Sequence, residues 1–195
     1  MEKKKSTTTL PIPSVFMGPR RYGDSRAMTE ADFSGVYAEV FTVVKDAFEK
    51  QGHFAATAFV LQVNREGKIG LAYPAALGEL MMVHGSRGKT MAAAFMDHML
   101  AMESVDFVAL VTESWRAPVE PGEDPVPASW HPAREEVLMF NVMGKDCQAL
   151  AACPLERDEN TGVAAVSEQT PLAFVHEIHS RAEGVFIRKR ATALN

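Results

Sequence analysis

The sequence predicts an α+β domain: an antiparallel β-sheet of about five to six strands flanked by helices, in the order α-β-β-α-β-β-β-(β)-α. Three observations carry this reading. Two stretches repeat apolar residues at three and four, the period of a helix. Several shorter runs are rich in β-branched and aromatic residues. Those runs are joined by short turns or one proline-rich connection, not by the evenly repeated helical crossovers of a parallel sheet.

The first helix follows Thr29, where Phe33, Val36, Tyr37, Val40, Phe41, Val44 and Phe48 build one apolar stripe. Thr29 with Asp32 three residues on forms an N-cap, and Gly52 a C-cap. Residues 55–63 and 69–73 flank Asn64-Arg65-Glu66-Gly67-Lys68, the turn of a hairpin. A second helix is expected from Ser86 to Met102, with Met91, Ala94, Phe95, His98, Met99 and Met102 at helical spacing and His98 on the apolar side. Strands follow at Phe107–Trp115 and Glu135–Met143, and Gly144-Lys145-Asp146 turns the chain into Cys147–Ala152. A short strand at Val163–Val166 comes next. Pro171–Arg181 reads as a third helix, with Thr170 as cap, Pro171 at its first position and Gly184 beyond its end, a strand being the alternative.

A chain of 195 residues, 47% apolar and 23% charged, suits one domain with a sizeable core. The expected division is a basic leader over 1–28, extended or disordered, and a single domain over 29–195. Leader residues Lys3, Lys4, Lys5, Arg20, Arg21 and Arg26 face two acids, whereas the remainder carries fourteen Lys and Arg against twenty-three Asp and Glu, a net charge of −9. So acidic a body argues against nucleic acid as the main partner, because that binding depends on clustered cations. No run approaches the roughly eighteen apolar residues of a membrane span, and no secretory signal follows Lys5, so the expected address is the cytoplasm with no membrane partner. Two cysteines, Cys147 and Cys153, lie six positions apart, too far along one strand for a disulfide, and read as small residues in a reducing compartment.

Three stretches carry chemistry. Gly85-Ser86-Arg87-Gly88-Lys89-Thr90 opens the second helix and ends like a phosphate-binding loop, but that motif needs glycine at position 83, where Val83 stands. What survives is an anion site of Gly85, Ser86, Gly88 and Lys89 at a helix N-terminus. His176-Glu177-Ile178-His179 puts two imidazoles on one helical face without an evident third ligand, so neither a metal nor a cofactor is expected.

The third is the junction around Ser129-Trp130-His131-Pro132-Ala133-Arg134-Glu135-Glu136. Residues 117–133 hold five of the eleven prolines, the acids Glu120, Glu123 and Asp124, and neither Lys nor Arg. A connection longer than about 12–15 residues is usually functional or disordered. If the strands on either side pair antiparallel, the ends of the connection meet at one sheet edge, bringing Glu113, Trp115, Trp130, His131, Arg134 and Glu136 together. Alternation then lets Arg134 bridge Glu113 and Glu136 with an aromatic ring beside it. That arrangement clamps the connection shut or, as a binding mouth, grips an anion with Arg134 and stacks a planar group on tryptophan.

The element order resembles the profilin-like and PAS-like small sensor and scaffold domains, which implies a five-stranded sheet with helices on its faces. The pattern Glu113-x-Trp115 before a variable loop and Pro132-x-Arg134-x-Glu136 is similar to an uncharacterised group of bacterial and phage proteins, and implies no activity. The function expected is a binding or self-association domain without catalytic chemistry, joined to a protein partner or a second copy. The alternative is an enzyme or binder acting on a small phosphorylated or acidic molecule, held by Lys89 or Arg134, with Glu113 or Glu136 as base.

Overall fold

The structure, a computed structural model, describes residues 13–17, 19, 21, 26–118, 126–158 and 164–175. It contains α1 (Glu30–Gln51), β1 (Thr57–Val63), β2 (Ile69–Ala76), α2 (Gly78–Ala101), β3 (Phe107–Arg116), β4 (Glu135–Gly144), β5 (Gln148–Arg157), β6 (Ala164–Val166) and β7 (Ala173–Phe174). The strands form one curled antiparallel sheet in the order β2-β1-β3-β4-β5-β6, with β7 also on β5. The fold is therefore α+β, with helices flanking an antiparallel sheet.

Period-two alternation sorts the sheet into two apolar faces. Leu61, Val63, Phe107, Ala109, Val111, Leu138, Phe140 and Val142 pack with the stripe of α1, from Phe33 to Phe48. Val60, Val108 and Leu110 point the other way and pack with Leu80, Phe95, Met96 and Met99 of α2. Helix α2, which carries the chain from outer strand β2 past β1 to β3, thus covers the face opposite α1. Outer strand β2 carries Pro74, which lacks an amide hydrogen and blunts that edge against pairing with another strand.

The caps of α1 are as expected. Thr29 and Asp32 form a reciprocal capping box, and Gly52 closes the helix at φ 72°. Asp32 also takes a two-pronged ion pair from Arg26, at 2.5 and 2.7 Å. The Arg26 guanidinium, then the Thr29 amide and hydroxyl, hold the Asp32 carboxyl well below the usual carboxylate range, against the opposing effect of burial. A depressed folded pKa stabilises the domain fully above the unfolded value of about 3.9 and progressively less as pH falls below it. Chemical denaturation of Asp32→Asn should therefore show a deficit at pH 7 that narrows between about pH 4 and pH 2.

The leader is not all extended. Ser14–Phe16 form a turn of 3-10 helix, and Phe16 is 1% exposed beneath α2. The reading of 1–28 as an extended or disordered leader misses this anchor, because one aromatic residue makes no period.

Helix α2 starts at Gly78, eight residues before the expected start, and breaks at Gly85, whose φ of 52° and ψ of −127° are not helical. Glycine accepts that conformation without the steric cost a side chain would meet. His98 is exposed, not on the apolar side. The helix expected over Pro171–Arg181 is corrected over its described part: Ala173–Phe174 pair with Ala149–Leu150 as a strand. Thr170 is no cap there, since its hydroxyl donates to the Ala152 carbonyl at 2.7 Å. The rest of that stretch, with His176–His179, lies outside the described residues.

Candidate functional site

Strands β3 and β4 pair along their whole lengths, from Phe107 opposite Gly144 to Arg116 opposite Glu135. The two ends of the proline-rich connection are therefore neighbours. They meet at the ends of two interior strands, not at a sheet edge. Trp115 stands opposite Glu136 and Glu113 opposite Leu138, so Glu113, Trp115 and Glu136 share the α1 face.

The arginine that bridges the two glutamates is Arg157, not Arg134. At the end of β5, its Nε and Nη2 donate to Glu136 at 2.8 and 2.9 Å, and Nη2 also donates to Glu113 at 3.0 Å. Its Nη1 donates to the carbonyl of Gly52 at 2.5 Å, and the guanidinium lies 5.4 Å from the centre of the Phe48 ring. Glu113 accepts in addition from the Phe54 amide. Glu136 first, and Glu113 after it, push the Arg157 pKa further up, so the guanidinium stays charged throughout the working range. The network ties three strands to the C-terminus of α1 and commits both carboxylates to a fixed cation.

Arg134 has another place. Its guanidinium stacks over the Trp115 ring, 4.9 Å from the centroid, and donates to the Ser129 carbonyl in the 3-10 turn Ala128–Trp130. His131 steers the following turn by accepting from the Ala133 amide at Nδ1, 3.1 Å. Glu135 is held by Arg116 at 2.5 Å. What remains on the surface is a ledge: Trp130, 76% exposed, Trp115, 36% exposed, and an exposed Arg134 with donors to spare.

The expected junction residues are thus brought together, but they divide between an inner Glu113–Arg157–Glu136 clamp and an outer Trp115–Arg134–Trp130 ledge. Arg157 was hidden from sequence reasoning because Pro154 reads as a strand end. The strand runs on through it, Pro154 pairing with Val137, and alternation from Cys153 through Leu155 aims Arg157 at the same face.

The stretch Gly85–Lys89 is a corner within α2. Each of its glycines has a structural reason: Gly85 adopts the backbone conformation of the break, and a Cβ on Gly88 would meet the Leu80 carbonyl oxygen at 2.2 Å. Ser86 and Lys89 are exposed, and the Thr90 hydroxyl returns to the Ser86 carbonyl at 3.1 Å. Val83, where a phosphate loop needs glycine, lies in helix.

A cleft of about 130 Å³ lies elsewhere, lined by Arg26, Met28, Phe33, Asp106, Lys145 and Cys147 among others, and includes none of the expected site residues. It is smaller than the roughly 300–1,000 Å³ of small-molecule pockets. Among the described residues no group of three or more His, Cys, Asp or Glu is placed to hold a metal, and no helix is long and apolar enough to cross a membrane. Compared with known proteins, the chain matches no family model, no curated protein and no solved structure.

Proposed function

We propose that this chain is a non-catalytic protein-binding domain whose docking surface is the Trp115–Arg134–Trp130 ledge. The observation that carries the reading is Trp130: a tryptophan 76% exposed beside an arginine already stacked on a second tryptophan. Trp and Arg are the residue types that most often dominate binding energy at protein interfaces. A flat ledge suits a macromolecule, because small ligands favour concave sites. Glu113 and Glu136, the candidate base residues, have their oxygens engaged by Arg157 and the Phe54 amide. Cys147 and Cys153 are not joined in a disulfide, which suits the reducing cytoplasm as its address.

Trp115 and Trp130 are the two tryptophans of the chain, so intrinsic fluorescence reports on the ledge alone. A photo-crosslinking residue at position 130 should trap a discrete protein adduct in cells. The same residue at Val43, also exposed, should not trap it, and Arg134→Ala should reduce its yield about tenfold or more, a loss of at least ~1.4 kcal/mol. Purified partner should shift the tryptophan emission to the blue. Equal adduct patterns from positions 43 and 130 would overturn the reading.

A further inference from the structure

The outer edge of β5 is covered in two pieces. β6 meets it at Leu155–Arg157 and β7 at Ala149–Leu150, and between them the chain bows outward, with Ser167, Glu168 and Gln169 exposed. On the other side of β5 the pairing has no such gap, since β4 runs beside it from Val137 opposite Pro154 to Met143 opposite Gln148. We infer that residues 168–174 form a latch that opens while the rest of the domain stays folded, baring the Cys153 thiol and the Ala149–Cys153 edge of β5.

Thr170 is the catch. Its hydroxyl donates to the Ala152 carbonyl at 2.7 Å, within the gap between β6 and β7, and its own carbonyl accepts from the Tyr37 hydroxyl of α1 at 2.7 Å. Pro171 favours an extended Thr170, the conformation in which a residue lies along a strand edge. The Cys153 sulfur sits inside this node, 3.1 Å from the Tyr37 oxygen and 3.3 Å from the Thr170 hydroxyl. Each hydroxyl has one proton to give. With both spent on carbonyls, the thiol is the donor to the Tyr37 oxygen. One residue of the latch thus ties helix to sheet and closes over a thiol that is 0% exposed.

The cost of opening is local. The latch gives up the Thr170 hydrogen bonds, the short β7 pairing and the edge-on contact of Phe174 with Phe33, whose ring centres are 5.6 Å apart. It leaves in place the pairing of β1 to β5, the stripe of α1 against them and the cluster under α2. Segments held by so little open well below the free energy of global unfolding. The open form then presents what the closed form hides, a thiol beside a strand edge whose backbone groups can pair with an added strand.

The test uses Cys153 as the reporter. The chain has two cysteines, so Cys147→Ala in the full chain leaves one thiol. Its reaction with dithionitrobenzoate in water should run about a hundredfold or more faster than global unfolding allows, and should hardly quicken in urea below the unfolding transition, because a small opening exposes little surface. Thr170→Val and Tyr37→Phe each remove one hydrogen bond of the catch and should speed the reaction about three- to tenfold. Met99→Ala, in the cluster on the other face of the sheet, lowers global stability and should leave the rate in water unchanged.

A thiol that reacts no faster than the whole domain unfolds overturns the inference. So does a Met99→Ala chain whose rate rises as much as that of Thr170→Val, since a single global opening would then account for both.

Discussion

Replacing Phe16 with alanine will lower the free energy of unfolding by about 3–5 kcal/mol, the range for removing a buried aromatic ring. Phe16 sits in what composition presents as a polar, proline-rich leader, yet it is 1% exposed and packs into the cluster beneath α2. Its backbone is held too. The Ser104 hydroxyl, from the link between α2 and β3, donates to the Phe16 carbonyl at 2.7 Å in a buried hydrogen bond. Gln62, 1% exposed, donates to the Ser104 carbonyl at 2.7 Å and accepts from the Arg21 amide at 3.0 Å.

The ring and the polar chain act together. Losing the ring leaves a cavity under α2 and weakens the hold on Ser104 and Gln62, whose polar atoms would need new partners. Phe16→Leu fills most of the space and should recover more than half of the loss. Deleting residues 1–28 should cost at least as much as Phe16→Ala, by urea denaturation followed through far-ultraviolet circular dichroism. Against a total stability of about 5–15 kcal/mol, such a deletion takes much of the margin. A truncated chain as stable as the full one would show that the domain begins at Thr29.

How far the fold was legible depends on how local each signal is. Helix α1 was fully readable, because its stripe, Thr29–Asp32 box and Gly52 cap lie within one continuous segment. The β3–β4 pairing is open to sequence reading as a condition, because two alternating runs flank one connection; alternation puts Glu113 with Trp115 and Arg134 with Glu136, and the register then brings Glu113, Trp115 and Glu136 onto one face. The first half of α2 was not. Leu80 to Val83 form an apolar run without a helical period, and the segment is held by tertiary packing of Leu80 and by the approach of Gly88 to its carbonyl.

The stretch that holds β7 reads first as a helix, with a strand as the alternative, for a related reason. Two residues carry no periodicity, whereas Thr170-Pro171 copies a helix start. The site followed the same rule. Its aromatic and acidic members were visible within one stretch, whereas the arginine that organises the acids comes from another strand, 44 positions from Glu113. Charge pairing across that distance leaves no trace in local pattern.

Arg157→Ala will destabilise the domain by about 2–3 kcal/mol, and the dependence on salt will identify the cause. Breaking a fully buried ion pair costs about 3–5 kcal/mol, because the charge left behind has no partner. Here the side chains of Arg157, Glu113 and Glu136 are 37%, 25% and 25% exposed, so water recovers part of the loss and screening reduces it further. What water cannot restore is the arrangement. Without the guanidinium two carboxylates face each other on neighbouring strands, the Gly52 carbonyl loses its donor and the Phe48 ring loses its cover.

Repulsion between the glutamates predicts that the deficit of Arg157→Ala shrinks in 1 M salt and shrinks again when Glu136→Gln is added. Lost packing and the Gly52 hydrogen bond predict a remainder that neither change removes. Arg157→Lys should fall between, since it keeps the charge and lacks the fork that reaches Glu136, Glu113 and Gly52 at once. Guanidinium chloride would mask the salt effect, so the series belongs in urea. A loss below about 0.5 kcal/mol would mean that the cluster is an ordinary solvated group of surface charges. The carboxylates would then be free for other chemistry, and the case for a non-catalytic domain would lose one of its supports.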